Sequence, residues 1–355
     1  MKKTLAVFVV GAFFGCSVGH ATSAPFCAVA TNACPVSAFT IVAMGYGSTA
    51  GNIIGPGSAD VTGRVAAAGQ ITNAFTIGAE FQSGSNSTND PWGSYANGYA
   101  MYAAGGISVP SGSHFQINGG GNAYAPGASN SNFYFNDQGK LVNTTLTGSS
   151  ALINFSSLSS EMLKESSYLA GLTANGIIES GSKVGGNPSW LVLDGTNTTL
   201  DVFNLTAAQF DGGGGSQLDF VVPTTATVIV NVAGTSLTLN SGSPILVNGQ
   251  QESDTNNDND MILFNFSQAA TVNLDAQFDA AMLAPMATLT STANSQIGGT
   301  LIVAAVGATG EVHNNEFQGK LPTPPVVYTP EPGTLALMGT GILGLAGLIR
   351  RKRRL

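Results

Sequence analysis

A short acidic stretch, DTNNDND, carries the side chains best suited to chemistry in this sequence. Its four oxygen-bearing side chains stand at alternate positions: Asp254, Asn256, Asp258 and Asp260. This is the ligand spacing of the first half of an EF-hand loop, whose oxygen ligands suit Ca²⁺. Asn259 and Asn265, however, stand where that motif requires glycine and a bidentate glutamate. The stretch therefore predicts either a calcium site or a solvated acidic loop, and calcium is the one cofactor that the sequence suggests.

Glu311 and His313 are a second candidate pair. They are two residues apart, so a strand would place both on one face, where they could bind metal or exchange protons. An acid–base site also needs a third convergent group, and the sequence pattern supplies none. No G-x-S-x-G or Walker loop occurs between Phe13 and Ile349. We predict no catalytic residue and interpret the protein as non-enzymatic.

Two further patterns concern binding and cross-linking. Cys27 and Cys34 remain after export and predict either a disulfide or two free thiols. Aromatic side chains that could stack on sugar rings cluster in the first half of the chain, and we predict glycan contact at Trp92, Tyr95 and Tyr99. The alternative is that these aromatic side chains are partly buried.

Both ends of the chain carry targeting signals. Residues 1–24 have a positive start, an apolar run too short to span a bilayer and small residues at the cleavage positions, which is typical of a secretory signal peptide. Between Pro25 and Pro330 there are five basic and 19 acidic side chains, a formal net charge of −14. That charge argues against nucleic acid and anionic lipid as partners.

The body of the chain predicts a mainly β fold. Charged residues make up only 9% of the chain, against about 25% in ordinary globular proteins, and short apolar runs alternate with Gly, Ser, Thr and Asn. Residues 118–132 and 82–97 are predicted loops. The spacing of Leu158, Met162, Leu169 and Leu172 predicts one helix over about 156–172, capped by Ser156 or Ser157. Strands of this kind fit a β-helix or a β-sandwich, and no fixed repeat separates the two.

The C-terminal residues resemble the PEP-CTERM sorting signal of Gram-negative bacteria. Pro330, Glu331 and Pro332 match its motif, residues 333–349 match its apolar segment, and a basic end follows: Arg350, Arg351, Lys352, Arg353 and Arg354. Seventeen helical residues reach about 26 Å, close to the ~30 Å hydrocarbon core, so we predict a transmembrane helix with its basic end in the cytoplasm. The resemblance implies cleavage by an exosortase, transient membrane anchoring and delivery to the outer envelope or the exopolysaccharide matrix.

The body resembles the choice-of-anchor A domain, a module assumed to be adhesive. The resemblance rests on five segments in family order: DVTGRVA at 60–66, VIVNVAG at 228–234, ILFNF at 262–266, MLAPMAT at 282–288, and 310–317. It implies a right-handed parallel β-helix with one packed helix, and no catalytic residues. The resulting division is a signal peptide (1–24), a lead-in (25–37), a β-helix domain (38–319), a Pro-rich spacer (320–329) and a sorting signal (330–355).

These observations predict an exported adhesin of the cell envelope or extracellular matrix. Its expected partners are the secretion machinery and exosortase, and then an extracellular glycan or another envelope surface. One alternative is a β-helix polysaccharide lyase or hydrolase, for which Arg64 is the only arginine of the exported part. A second alternative is ice binding, which needs a flat array of Thr-x-Thr segments. Only Thr225-Ala-Thr227 and Thr288-Leu-Thr290 suggest such an array.

Overall fold

The computed structural model describes most of the region between the two targeting signals. It covers residues 26, 35–56, 59–79, 93–181, 190–211, 218–240, 245–251, 258–292, 295–323 and 350. The described part is mainly β, with two α-helices, α1 (Phe155–Ala170) and α2 (Ala207–Asp211). Short 3-10 helices lie at Pro35–Ala38, Gly93–Ala96, Asn130–Asn132, Gly148–Ser150 and Asp258–Met261.

Twelve short strands precede α1 in the described part of the chain. They are β1 (Ile41–Ala43), β2 (Ile53–Ile54), β3 (Asp60–Val61), β4 (Val65–Ala67), β5 (Ile71–Thr72), β6 (Thr76–Ile77), β7 (Tyr99–Ala103), β8 (Ile107–Ser108), β9 (Phe115–Ile117), β10 (Asn122–Tyr124), β11 (Phe133–Phe135) and β12 (Leu141–Val142). The prediction of a loop over 118–132 is wrong at β10, because Ala123 and Tyr124 are buried between neighbouring strands despite the flanking glycines.

Fifteen more strands follow α1 in the described residues, several of them longer. They are β13 (Ile177–Ser180), β14 (Leu191–Asp194), β15 (Leu200–Thr206), β16 (Leu218–Val221), β17 (Thr227–Ala233), β18 (Ser236–Leu239), β19 (Leu246–Val247), β20 (Gln250–Gln251), β21 (Ile262–Asn265), β22 (Thr271–Leu274), β23 (Phe278–Asp279), β24 (Ala281–Ser291), β25 (Ile297–Gly298), β26 (Leu301–Val306) and β27 (Val312–His313).

The strands stack as the coils of a solenoid. Three successive strands, such as β1, β2 and β3, form one coil, and each pairs in parallel with its counterparts in neighbouring coils. The first face has the order β12-β10-β7-β4-β1-β26-β24-β21-β17-β15. The second face contains β18, β22, the ends of β24 and β26, β2, β5 and β8. The third face contains β11-β9-β6-β3-β27-β25-β23 and, separately, β13-β14-β16-β19-β20. Parallel ladders of this kind agree with the predicted solenoid and not with a sandwich of antiparallel sheets.

The chain enters the solenoid in its middle. β1 pairs with β4 on one side and with β26 on the other, so the first and last coils are neighbours. From β4 the coils proceed to one end at β12, and after α1 they restart at the other end with β15 and return to β26. Aliphatic and phenylalanine side chains fill the space between the three faces, with Phe264 in ring contact with Phe220 and Phe278. The two halves therefore share one core.

Helix α1 covers the first face. Its buried side chains Leu158, Met162 and Leu169 pack in one apolar cluster with residues of that face such as Ile229 and Leu263. The side chain of Asn154, rather than Ser156 or Ser157, caps the helix by accepting a hydrogen bond from the amide of Ser157 at 3.2 Å. Asparagine suits this position because its short side chain reaches the open amides of the first turn.

An asparagine ladder on the first face fastens the C-terminal half of α1. Asn265 Nδ2 donates to the carbonyl of Ser166 at 2.9 Å and to Asn231 Oδ1 at 2.8 Å. Asn231 Nδ2 in turn donates to the carbonyl of Leu169 at 3.0 Å. The ladder adds side-chain hydrogen bonds to carbonyl groups near the helix end, where the carbonyl of Leu169 also accepts from the amide of Leu172 at 3.2 Å. The helix is therefore held by both apolar and polar contacts.

In the described residues, no helix combines the length and the hydropathy that crossing a bilayer requires. The predicted transmembrane segment, 333–349, and the signal peptide lie outside the described residues.

Candidate functional site

The acidic stretch is only partly described. Asp254 and Asn256 lie outside the described residues, and Asp258 lies in the 3-10 helix Asp258–Met261. Asp260 is 5% exposed as a residue, and its carboxylate accepts a hydrogen bond from Gln318 Nε2 at 2.9 Å. Among the residues that the structure describes, no group of three or more His, Cys, Asp or Glu side chains is placed to hold a metal ion. Calcium binding at this stretch stays a prediction.

Glu311 and His313 lie close together on the third face, as expected for residues two apart in a strand. His313 Nε2 is 3.9 Å from Glu311 Oε1, and both side chains are about one third exposed. On the same face, Asp279 and His313 both pair with Gly298. Burial raises the pKa of Asp279 to about 6, while the hydrogen bond from Gln277 and the charge of His313 oppose the rise. The cluster is a set of polar contacts along one side of the solenoid.

The tyrosines of the predicted glycan patch make contacts within the protein. Tyr95 and Tyr99 are half-buried against the cluster beneath α1, and Trp92 lies outside the described residues. The hydroxyl groups of Tyr102 and Tyr124 accept hydrogen bonds from the amides of Leu152 and Leu146, at 3.1 and 3.0 Å. The rings of Tyr99, Tyr102 and Tyr124 also contact one another. This aromatic group positions the segment that leads into α1, and glycan contact there stays a prediction.

The remaining predicted sites lie at the termini. Cys27, Cys34 and the motif Pro330-Glu331-Pro332 are outside the described residues. Of the basic end, Arg350 is described and exposed, and residues 351–354 are not described.

The second face brings together polar side chains that are far apart in the sequence. Three parallel segments lie side by side in register, with Ser236 beside Thr271 and Thr271 beside Thr288. Two positions further along, Thr238, Asn273 and Thr290 form a second outward row. We call these six side chains, Ser236, Thr238, Thr271, Asn273, Thr288 and Thr290, the polar array. Each is exposed or half-buried.

Buried residues between the two rows hold the polar array flat. Leu237, Val272 and Leu289 point into the core and are at most 1% exposed. Hydrogen bonds link the outward side chains across strands, with Thr271 Oγ1 donating to Ser236 Oγ and Thr290 Oγ1 to Asn273 Oδ1, both at 3.0 Å. Neighbouring rungs are spaced by about 4.8 Å, and the two rows by roughly 6.6 Å. The result is a regular, uncharged grid of hydroxyl and amide groups.

The two outward rows continue beyond the polar array. Ile54 pairs with Thr72, and Thr72 pairs with Ser108, which extends the second row to the edge strand β8. The first row passes through Ala305, which pairs with Thr288, and continues with Asn52 and Gln70. Asn52 Oδ1 accepts a hydrogen bond from the amide of Gln70 at 2.8 Å. These side chains are also uncharged, so the second face is neutral along the length of both rows.

The sequence reveals only one third of the polar array. Thr288-Leu-Thr290 belongs to it, but the suggestion that Thr225-Ala-Thr227 does is wrong. Thr227 begins β17 on the first face, is 1% exposed and accepts a hydrogen bond from the amide of Lys320. The other two segments, Ser236-Leu-Thr238 and Thr271-Val-Asn273, share the pattern of an apolar residue between small polar ones. That pattern could have found them, although it does not predict that they pair.

The chain leaves the solenoid on the side opposite the second face. Residues 314–320, which we call the strap, run along the edge where the third face turns into the first. Thr40 Oγ1 donates to Asn314 Oδ1 at 2.6 Å although the two residues are 274 positions apart, and the amide of Phe317 donates to Thr300 Oγ1 at 3.0 Å. Thr40 and Thr300 directly precede β1 and β26 of the first face. In a three-sided coil, this edge is the one that the second face does not share.

Comparison with known families identifies both parts of the chain. Residues 329–354 match the PEP-CTERM protein-sorting motif, which implies export across the membrane in Gram-negative bacteria, processing by an exosortase and a cell-surface or extracellular destination. No curated protein and no solved structure gives a significant match. Residues 36–314 match the family model of the ice-binding-like adhesive domain. The description of that family assumes the adhesive role. Because this match covers most of the chain, the protein belongs to the family of ice-binding-like adhesive domains.

Proposed function

We propose that this protein is a non-enzymatic adhesin of the cell envelope or extracellular matrix, and that it adheres through the polar array on its second face. The observation that carries the proposal is the in-register grid of six neutral polar side chains. Membership of an adhesive-domain family and the sorting motif support it. α1 packs on the first face, and the outward side chains of the third face include the ionisable Asp60, Glu311 and His313. The second face is therefore the one that presents two uncharged polar rows.

The position of the chain exit supports the same proposal. The strap holds residues 314–320 at the edge opposite the second face, and the sorting signal follows further along the chain. The strap itself therefore leaves the polar array uncovered.

We also propose that the solenoid is right-handed, because parallel strands joined by crossover connections almost always have that hand.

The expected target of the polar array is an extracellular glycan. Hydroxyl and amide side chains exchange hydrogen bonds with sugar hydroxyl groups, and repeated rungs can engage repeated sugar units. The array carries no charge, whereas the exported part of the chain has a net charge of −14. A neutral polysaccharide therefore fits better than an acidic one, which the protein as a whole would repel.

Bulky side chains in the polar array should abolish adhesion. We expect Thr288→Tyr combined with Thr290→Tyr to lower the affinity for the exopolysaccharide of the producing cells by at least about tenfold, because two rings would interrupt the flat grid in both rows. Binding to the isolated polysaccharide would be measured by co-sedimentation.

The matched control is Thr76→Tyr, which makes the same change at a half-buried position on the third face. This variant should bind as the unchanged protein does. Equal binding by the double variant and the unchanged protein would sink the proposal that the second face is adhesive.

Ice is a second candidate target, favoured by one specific observation. Three segments with small polar residues lie in register in two rows, whereas the sequence suggests two Thr-x-Thr segments, of which only Thr288-Leu-Thr290 belongs to the array. A flat, repetitive grid could order water at an ice surface. Thermal hysteresis of the purified protein, lost in the Thr288 and Thr290 double variant, would favour ice. Adhesion to polysaccharide without hysteresis would favour a glycan.

The lyase alternative has less support, because the Arg64 side chain makes its contacts within the protein. Its guanidinium lies 3.8 Å from Glu316 Oε1 and donates to the carbonyl of Ala38 at 3.5 Å. The Arg64 side chain is 13% exposed and that of Glu316 is fully buried. An arginine side chain that is buried against the strap in this way is poorly accessible to a substrate.

We propose that an exosortase removes the C-terminal segment at or near Pro330-Glu331-Pro332. Changing Pro330→Ala or Glu331→Ala should leave uncut precursor in the inner membrane, because the recognised motif is lost while residues 333–349 remain apolar. Mass spectrometry of the mature surface protein should find no peptide that contains Leu355. An intact C-terminus on that protein would contradict the proposal.

A further inference from the structure

A recess lies where the two outward rows of the second face end. β8 is the last strand of this face in the first half of the solenoid, and residues 125–132 of the next coil form a turn instead of a strand. Between β8 and that turn is a cavity of about 380 Å³. Ligand pockets in proteins have volumes of about 300–1,000 Å³, so the recess can accept one or two sugar rings.

The lining of the recess is neutral and mostly polar. Its polar side chains are Gln70, Ser108 and Asn132. Ile107 and Val109 also line it, but both pack against the core. No charged residue is among the lining residues. Hydroxyl and amide side chains can exchange hydrogen bonds with the hydroxyl groups of a sugar, so this lining suits a sugar better than an ion or a purely apolar ligand.

Hydrogen bonds hold the outer wall of the recess in place. The amide of Gly127 donates to the carbonyl of Asn143 at 3.1 Å, and Asn143 Nδ2 donates to the carbonyl of Ala128 at 3.2 Å. The amide of Ser129 donates to Asn132 Oδ1 at 3.1 Å. The wall is therefore tied to the coil behind it, and a preformed site loses little entropy when a ligand binds.

The recess is continuous with the second face. Ser108 is both a lining residue and the last member of the second outward row, because it pairs with Thr72. Gln70 is a member of the first row, and Gly106, its neighbour in the next coil, also lines the recess. A chain that followed either row would therefore reach the recess.

We propose that this recess binds the terminal sugar of a neutral glycan chain that lies along the second face. The inference rests on the proposed adhesive function. It adds a subsite that selects the ends of glycan chains to the polar array, which contacts a repetitive surface. It assigns binding of soluble oligosaccharides to the recess, and adhesion to extended polysaccharide surfaces to the polar array.

Calorimetric titration of the full-length protein with neutral oligosaccharides tests the assignment. The probes are cellohexaose, laminarihexaose, maltohexaose and chitohexaose, with an oligogalacturonate as the charged comparison. We expect at least one neutral probe to bind and the oligogalacturonate not to bind. Ser108→Trp should fill the recess and lower the affinity for the bound probe by at least about tenfold. Ser108 is exposed, so this change leaves the core intact.

Ser160→Trp is the matched control, because Ser160 is exposed on α1, outside both the polar array and the recess. This variant should bind the oligosaccharide within about twofold of the unchanged protein, a difference well below the tenfold loss that the recess predicts. Gln70→Ala removes one polar group from the recess and should cause a smaller loss than Ser108→Trp.

Two results would overturn the proposal. The first is that no neutral oligosaccharide binds although the protein adheres to polysaccharide, and the second is that Ser108→Trp binds the probe as well as the unchanged protein does. In both cases the adhesive function stands if the Thr288 and Thr290 double variant still loses adhesion. Unchanged adhesion by that double variant refutes the adhesive face itself, whatever the recess binds.

Discussion

Replacing Leu169 with aspartate should unfold the domain. Leu169 is fully buried between α1 and the first face, in the cluster that contains Leu158 and Met162. The change removes leucine packing worth about 2–5 kcal/mol and places an unpaired carboxylate in an apolar site. Since domains are stable by only about 5–15 kcal/mol, the variant should show no cooperative urea transition when followed by circular dichroism.

Two further variants of α1 calibrate this expectation. Ser160→Asp introduces the same carboxylate at an exposed position of the helix and should change the stability by less than about 0.5 kcal/mol. Leu163→Asp, at a half-buried position, should lie between the two. An unfolding midpoint for Leu169→Asp equal to that of Ser160→Asp would show that α1 does not pack on the solenoid.

Arg64→Met should be nearly as damaging, through the strap. Arg64 precedes β4, and its guanidinium faces the fully buried carboxylate of Glu316. Removing one partner of a buried ion pair costs about 3–5 kcal/mol, because the other charge stays buried without its counter-ion. Urea unfolding should report a loss of this size. The strap also links the first and last coils, so both halves should unfold in one transition.

The double variant Arg64→Met with Glu316→Gln separates charge from packing. With the buried charge also removed, most of the lost stability should return, because neutral replacements of a buried pair are often tolerated. If the single variant Arg64→Met loses less than about 1 kcal/mol, the ion pair does not hold the strap.

Local sequence patterns account for the features of this protein that could be predicted without its structure. Targeting signals are short linear segments that can be recognised from sequence alone. The match at residues 329–354 confirms the sorting motif, and the signal peptide stays a prediction. The mainly β character follows from short apolar runs between small turn residues. α1 lies where leucines recur at helical spacing, since that spacing places them on one side of a helix.

Only the tertiary structure decided which segments become neighbours. Successive first-face partners such as Val228 and Ile262, Leu263 and Ala281, and Met282 and Leu301 are separated by unequal lengths of chain. The turns absorb the difference, so the coils carry no fixed repeat. The pairing of β1 with β26 is equally invisible in the sequence, because it joins coils from the two ends of the domain.

The polar array and the recess show the same difference between what local sequence and tertiary structure determine. By itself the sequence determined the residue types of the polar array: small polar residues flank single buried ones, as in Ser236-Leu237-Thr238. The six side chains are uncharged, and the exposed Asp275 accepts a hydrogen bond from Asn273 at the edge of the array. The tertiary structure decided that three such segments align in register, that Thr225 and Thr227 stay out of the array, and that the recess lies beside β8 at the far end of the second face. The physical reason is that side-chain alternation within a strand is a local property, whereas the register between parallel coils depends on every turn length and on the packing of the shared core.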